Sequence, residues 1–510
     1  MKQLLICLAF IGVADFSTVL FGQTQASAIE ASKTHIITHG HHILGEFAEL
    51  LKIPNVADDL DNIQRNAQWI IAAFKKRGIE MRTLELDEVP PIVFGEWKTP
   101  GAKETLVIYV HYDGQPVDPS QWEHDPWTPT LYDGILGKGG KEIPFPGPGE
   151  VIKPEWRIYA RAAGDDKAPI LAILAAIDSM RARKLAPTVN LKFFFEGEEE
   201  NGSPNLARYL QNYRDLLRAD AWLFCDGPTH QSRQAQLVFG VRGIVSMELT
   251  VYGATRGLHS GHYGNWAPVP GMMLAQLLAG MKDDSGKVLI KGFYDSVLPL
   301  GDEERQAIEQ LPEIEHRLME ELGISSSEGS PESLAERLLI PSLTVNGLQS
   351  GNVGALARNV IPPFATARLD FRLVKGNQPK AMLDLVEDHI RQQGYFIVRD
   401  TPAAQLRNQY PKIVKITRGE GYPAARTSMS LPLAGKVGHA IQAVTGTPPI
   451  QMPTLGGSLP LYLFGDILDT PFLVLPIANY DNNQHAANEN LQVANLWYAI
   501  SLYSAIFTMP

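Results

Sequence analysis

Residues 189–203, Val-Asn-Leu-Lys-Phe-Phe-Phe-Glu-Gly-Glu-Glu-Glu-Asn-Gly-Ser, run from a short apolar stretch into a cluster of carboxylates at Glu196, Glu198, Glu199 and Glu200. The apolar part has the length and aromatic content of a buried strand, and Gly197 and Gly202 punctuate a loop that begins where it ends. Carboxylates this close repel one another, so a fold tolerates them when water solvates them or when cations share them. A solvated acidic loop is the ordinary explanation of such a run. Three further strand-like segments end in groups of the same kind. Residues 106–110 lead into His111 and Asp113, residues 222–225 into Asp226, and residues 472–475 into a loop carrying His485. In an open α/β sheet the carboxyl ends of parallel strands converge on one mouth, where these groups would meet. Imidazole and carboxylate together suit zinc, and also manganese or cobalt, while the lack of thiolates argues against a structural zinc site. The spacing His111-x-Asp113 has its own rationale, because a ligating imidazole usually gives its second N–H to a carboxylate.

The elements that must position these groups follow from periodicity. Apolar segments at 105–110, 189–195 and 221–225 alternate with a helical pattern at 168–183, which predicts βαβ units and a mostly parallel sheet flanked by helices. After Gly243 the pattern changes to strict alternation at Val245, Met247, Leu249 and Val251, as in a half-buried strand. Helices near 272–281 and 380–392, with strands near 343–346, 365–374 and 395–398, predict a small α+β, ferredoxin-like domain with two helices on one sheet face. From about 428 the βα pattern resumes, with a helix at 433–444, a strand at 472–475 and a closing helix at 491–507. The expected fold is therefore an α/β domain split by an inserted α+β domain. Its boundaries fall at 29–243, 244–425 and 426–510, with an acidic helical insertion at about 296–340 inside the second. Residues 116–154, rich in proline and glycine, read as a long ordered loop without an apolar period.

Composition sets the class. A chain of 510 residues with 45% hydrophobic and 20% charged residues is long enough for two globular domains. Its formal charge of −11 argues against nucleic acid as a partner. The first residues pair one cation, Lys2, with an apolar run at 4–14 and a small-x-small site at Ala26-Ser27-Ala28, which predicts a signal peptide over 1–28 and export to a periplasm or the medium. A buried N-terminal helix is the alternative. The apolar run is too short to anchor the chain stably in a membrane. Cys7 would leave with the signal, so Cys225 would remain alone and no intramolecular disulfide is expected.

Read in order, the motifs carry a resemblance. His111-x-Asp113, Arg-x-x-x-Asp-Asp-Lys-x-Pro at 161–169, Glu-Gly-x-Glu-Glu-x-Gly-Ser at 196–203, Asp226, Leu-His-Ser-Gly at 258–261, Gly-Gly-Ser-x-Pro at 456–460 and His-x-x-Asn-Glu at 485–489 resemble those of the carnosinase-type dinuclear zinc peptidases. That family includes aminoacylases, acetylornithine deacetylase, carboxypeptidase G and succinyl-diaminopimelate desuccinylase. The resemblance implies two divalent metal ions per chain, with Asp165 bridging them, His111 and Asp226 completing one site, and Glu200 and His485 the other. It implies a cis peptide at Asp165-Asp166, Asp113 as the partner of His111, and Glu199 as general base for a metal-bridged hydroxide attacking the scissile carbonyl. It also implies that the split domain is catalytic and that the inserted one is a lid and dimerisation domain, giving a homodimer in which His259 reaches across to stabilise the oxyanion. Arg372 and Ser458 would receive a substrate carboxylate, with Asn359 as a further polar contact.

Two departures stand out. The resembled family usually has Gly-Arg-Gly where this chain has Ala160-Arg161-Ala162, and Gly-Gly where it has Gly264-Asn265; neither removes a ligand. The loop at 114–157 and the insertion at 296–340 are longer than in compact relatives and would reshape the substrate cleft. The expected activity is hydrolysis of a dipeptide or short peptide. An N-acyl-amino-acid amidohydrolase or carboxypeptidase using the same centre is the alternative. A non-catalytic binding module is disfavoured because all five ligands and Glu199 are present, and a serine hydrolase because no Gly-x-Ser-x-Gly elbow precedes a suitable Asp and His.

Overall fold

The computed structural model describes residues 16–87, 89–329 and 333–510, so the charged and apolar start of the expected signal segment lies outside the described residues. The chain forms two compact units, residues 1–237 with 430–449 and 474–510, and residues 238–429 with 450–473. The split arrangement expected from sequence is thus present. Residues 450–473, placed by sequence in the returning half, group instead with the inserted unit.

In the first unit neighbouring strands run in the order Met81–Leu84, Ile92–Trp97, Asn190–Glu196, Thr105–His111 and Ala221–Phe224. Thr105–His111 lies parallel to both of its neighbours, with His111 beside Glu196 and Tyr109 beside Phe224. These strands are near-continuous apolar runs because both faces are covered. Phe193, Phe194, Phe195 and Trp222 are wholly buried. The helix Lys167–Ala182 is apolar almost all round, as befits a helix packed between other elements.

A 36-residue helix, Phe16–Leu51, packs against that helix and against Val493–Phe507. The expected cleavage point after Ala28 falls inside this helix, where Ala28 and Ile29 are buried. Gln25 Nε2 donates to the Ala505 carbonyl at 3.0 Å and Ser32 Oγ to Ser501 Oγ at 2.9 Å. Among the described residues no helix is long and apolar enough to cross a membrane.

The segment 114–157, expected to be loop alone, contributes two short strands to a small sheet, ordered Asn490–Gln492, Arg157–Tyr159, Thr130–Tyr132 and Glu142–Ile143. This sheet ties the approach to Arg161 to the residues just after His485, so it frames two ligand-bearing loops at once.

The second unit holds a sheet ordered Ser342–Gln349, Phe364–Leu373, Gly240–Tyr252, Ile413–Tyr422 and Phe396–Val398. It is antiparallel apart from the last pair. Val245, Met247, Leu249 and Val251 point into a core shared with Leu274, Leu277, Val386 and Ile390 from helices Pro270–Ala279 and Pro379–Gln392. This is the two-helix, one-face arrangement that the alternation predicted.

Candidate metal centre

Each ligand-bearing loop is set by a local device. Gly197 separates Glu196 from Glu198 because a Cβ there would lie 2.7 Å from Tyr112 Cζ. Past it the chain makes a 3₁₀ turn, Glu199–Asn201, ended by left-handed Gly202. Asp113 fixes the start of that turn, accepting from the backbone N–H of Glu199 at 3.1 Å and of Glu200 at 2.9 Å. The peptide Asp165-Asp166 is cis, as the resemblance implied.

Three sets of donors converge, each with its atoms within 4.8 Å of one another: His111, Asp165 and Asp226; His111, Glu199 and Glu200; and Asp165, Glu200 and His485. Asp165 belongs to two of them, and its oxygens face different ways. Oδ1 lies 2.9 Å from His111 Nε2, and Oδ2 lies 3.2 Å from His485 Nε2. This is the disposition of a carboxylate shared between two cations. The other nitrogen of His111, Nδ1, faces Asp113 Oδ1 at 3.4 Å, leaving Nε2 toward the centre. Glu199 Oε2 lies 3.8 Å from that Nε2, and Glu200 Oε2 lies 3.3 Å from His485 Nε2. All five expected ligands and Glu199 therefore meet within the first unit.

The electrostatics of the donors point to a cation. Burial, reinforced by Asp165, pushes the Glu200 pKa up to about 8 and that of Asp226 to about 6. Burial raises Glu199 well above the carboxylate range against the pull of His111. Burial would do the same to Asp165, but hydrogen bonds from His111 and His485 overturn it and hold its pKa well below the usual range. The Asp165 hydrogen bond, opposed by burial, lifts His485 to about 9. A divalent ion among these groups reverses the logic, favouring ionised carboxylates and neutral imidazoles. Hard oxygens with two imidazoles and no thiolate fit zinc, manganese or cobalt.

Sequence reasoning left several contributors without a role. Glu489 is wholly buried and receives four donors: Oε2 accepts from Arg161 Nη1 at 2.7 Å and the Ala162 N–H at 3.1 Å, and Oε1 from the N–H groups of Gly164 at 2.8 Å and Asp165 at 2.9 Å. It fastens the loop of Asp165 to the loop of His485; the motif His-x-x-Asn-Glu marked its position but not the loop it holds. Gln115 Nε2 donates to Glu200 Oε2 at 2.7 Å, and Gln484 Nε2 to Asp165 Oδ2 at 2.8 Å. Glu196 and Glu198 are structural. The first accepts from Tyr109 Oη at 2.6 Å, and the second from the N–H and Nδ2 of Asn205, each at 3.0 Å.

In the second unit the remaining candidates form two pairs. Arg372 Nη1 donates to Ser458 Oγ at 2.8 Å, while its Nε lies 3.2 Å from Asp370 Oδ2. The backbone of Asn359 accepts from the Ser260 N–H at 3.0 Å, which places it beside His259 rather than beside Arg372 by pairing. His259 is exposed, and its Nδ1 accepts from the Gly261 N–H at 3.1 Å.

A split α/β unit whose strand ends gather two imidazoles and the four carboxylates Asp165, Glu199, Glu200 and Asp226 defines a metal-dependent hydrolase. The model of peptidase family M20/M25/M40 matches residues 107–508, and the chain belongs to that family, on its carnosinase-type branch. It is a metal-dependent peptidase. It is similar to a Cys-Gly metallodipeptidase of Candida albicans, 30% identical over 416 residues, 80% of this chain and 79% of the relative. It is also similar to the Beta-Ala-His dipeptidase of Homo sapiens, 27% identical over 430 residues, 82% and 77% of the two chains. Among solved structures, an M20 family metallo-carboxypeptidase from Sulfolobus solfataricus superposes with a TM-score of 0.74 at 28% identity, covering 92% of this chain and 98% of that one.

Proposed function

We propose that this chain is an exported dipeptidase that works as a homodimer with two zinc ions per protomer. The observation that carries the catalytic part is the geometry of Asp165, whose two oxygens face His111 and His485 separately. His111, Asp165 and Asp226 would hold one ion, and Asp165, Glu200 and His485 the other. When bound, the pair lowers the pKa of a shared water and polarises the scissile carbonyl. Glu199, half-buried and beside His111, takes the proton from the attacking water and returns it to the departing amine. Asp113 keeps the His111 imidazole oriented and at the same time pins the turn that carries Glu199 and Glu200.

Dipeptides are preferred to acylated amino acids because several curated relatives covering most of this chain are named dipeptidases. Within the second unit, Arg372 with Ser458 presents a planar guanidinium and a hydroxyl, a pairing suited to a free carboxylate. Arg242, buried behind it, donates to the Arg372 carbonyl at 3.4 Å and adds positive potential, to which Asp370 is the counter-charge.

Dimerisation through this unit is supported by its edge strand, Ser342–Gln349, which exposes Val345 and Leu348. Gly271 lies against Ser350 at the end of that edge, so helix Pro270–Ala279, with Met272 exposed, borders the same apolar surface. Export is supported by the composition of residues 1–28. Cleavage after Ala28 would place a charged terminus at Ile29, which is 6% exposed, so burial disfavours a cut at that bond.

The test is a screen of zinc-loaded enzyme against dipeptides, their C-terminal amides and N-acyl amino acids. Dipeptides should be cleaved fastest, and Arg372→Met should remove most of the preference for the free acid over the amide. Preferential cleavage of N-acyl amino acids would overturn the dipeptidase assignment in favour of the amidohydrolase.

A further inference from the structure

The helix Phe16–Leu51 carries four histidines within eight residues, His35, His39, His41 and His42, none of which belongs to the catalytic centre. Residues 35, 39 and 42 are spaced i, i+4 and i+7, so they share one face of the helix, while 41 points elsewhere. The rings of His35 and His39 stack at 4.4 Å between centroids with 19° between planes, so the two imidazoles lie within reach of one ion, and rotation about their side-chain torsions out of the stack turns both toward it. His39 is exposed and His35 half-buried.

Hydrogen bonding fixes which nitrogen of His39 is available. Thr38 Oγ1 lies 2.8 Å from the Thr34 carbonyl, 3.3 Å from the His35 carbonyl and 2.8 Å from His39 Nδ1. That contact engages Nδ1 and leaves Nε2, at the outer end of the ring, for a ligand. An ion at Nε2 selects the tautomer protonated at Nδ1, for which the Thr38 oxygen is an acceptor already in place. This is the second partner that a ligating histidine ordinarily has.

We propose that His35 and His39 chelate an imidazole-preferring divalent ion of the nickel, copper and zinc group, with His42 one turn further along the same face, at a site separate from the catalytic centre. Two histidines at i, i+4 on one helical face form the chelating pair used in helical zinc sites. Burial, with help from His39, lowers the His35 pKa, so its imidazole is neutral and able to ligate at neutral pH. The charged groups facing it are Asp178 and Arg77, and Arg77 is held by Glu46 at 2.8 Å and by Asp178 at 2.6 Å, which limits its repulsion of an incoming cation.

The experiment is calorimetric titration of Ni²⁺ into the zinc-loaded enzyme, comparing the natural chain with His35→Ala, His39→Ala and His41→Ala. One Ni²⁺ per chain should bind in addition to the zinc already present. His35→Ala and His39→Ala should each weaken that event on the order of 10²-fold, the usual advantage of a second tethered donor over one. His41→Ala should leave it unchanged, and peptidase turnover should be the same in all four proteins. Absence of the added event, or equal affinity in His39→Ala and the natural chain, overturns the proposal.

Discussion

Glu489→Gln isolates what the buried carboxylate does for the metal centre. The substitution keeps volume but replaces one acceptor oxygen by an NH₂ group. Whichever way the amide turns, two donors lose their acceptor: Arg161 and the Ala162 N–H on one side, or the Gly164 and Asp165 N–H groups on the other. A buried donor left unpaired costs about 1–3 kcal/mol, and breaking a buried ion pair from one side about 3–5 kcal/mol. Arg161 is 2% exposed, so the upper range applies to its loss of a charged partner. Because these terms overlap, a total of about 3–5 kcal/mol is expected. It falls on the loop that carries Asp165, where it becomes roughly a 10²–10³-fold loss in metal affinity at 1.4 kcal/mol per tenfold. Competitive chelator titration with Zn²⁺ is the assay, with a melting curve of the metal-free protein to show that the fold survives. Asp165 contributes to both metal sets, so both ions should weaken together, whereas His485→Ala should weaken one. Two zinc ions bound at unaltered affinity in a folded Glu489→Gln protein would refute the reasoning.

Two further outcomes follow from the geometry. Glu199→Gln should keep both metals and lose on the order of 10²-fold or more in turnover, while Glu200→Gln should lose one metal; normal turnover in the first variant removes Glu199 as general base. Metal-free protein should melt at lower temperature as pH rises from about 5 to about 9. Glu200 and Asp226 have folded pKa values of about 8 and about 6, above their unfolded values, so the folded state holds more protons in this window and stability falls as pH rises. His485, raised to about 9, acts in the same direction, its stabilising charge being present below its unfolded pKa and lost as pH climbs through 9. Zinc loading should flatten the curve, and a metal-free melting temperature that rises across this range would contradict the shifts.

The legible parts of this fold are those with a strong local period. The alternation at Val245, Met247, Leu249 and Val251 predicted strand Gly240–Tyr252, and the apolar segments ending at His111, Glu196 and Asp226 proved to be strands. Strand Ile413–Tyr422 escaped because only its first residues are apolar; its outer half carries Arg418, whose charge is met by Glu387 at 2.7 Å across the unit. The sheet within 114–159 escaped for a different reason. Its strands are two or three residues long, too short for a period, and they are ordered by pairing with Asn490–Gln492, far along the chain. At the centre, ligand identities could be carried over from the motifs. The fastening roles of Glu489, Gln115 and Gln484 depend on which loops lie side by side, and spacing along one loop does not reveal that.

The acidic groups of the centre divide by how their charge is met, and this division separates framework from chemistry. Asp113, Glu198 and Glu489 accept from backbone or side-chain N–H donors and so hold loops, while burial still raises Glu198 and Glu489 above the usual carboxylate range. Burial also raises Glu199, Glu200 and Asp226, reinforced by Asp226 and Glu200 at the first and by Asp165 at the other two. Each unit of such a shift is about 1.4 kcal/mol against the charged form. A fold that keeps three such groups ionised at neutral pH needs positive charge that its own side chains at this point do not supply in full, since His111 and His485 are the imidazoles facing them. Two divalent ions would supply it to the carboxylates placed to ligate and to move a proton. The same difference explains why the run at 196–200 is ambiguous in sequence: two framework glutamates, Glu196 and Glu198, directly precede the two assigned to chemistry, Glu199 and Glu200, and only the groups opposite each one tell them apart.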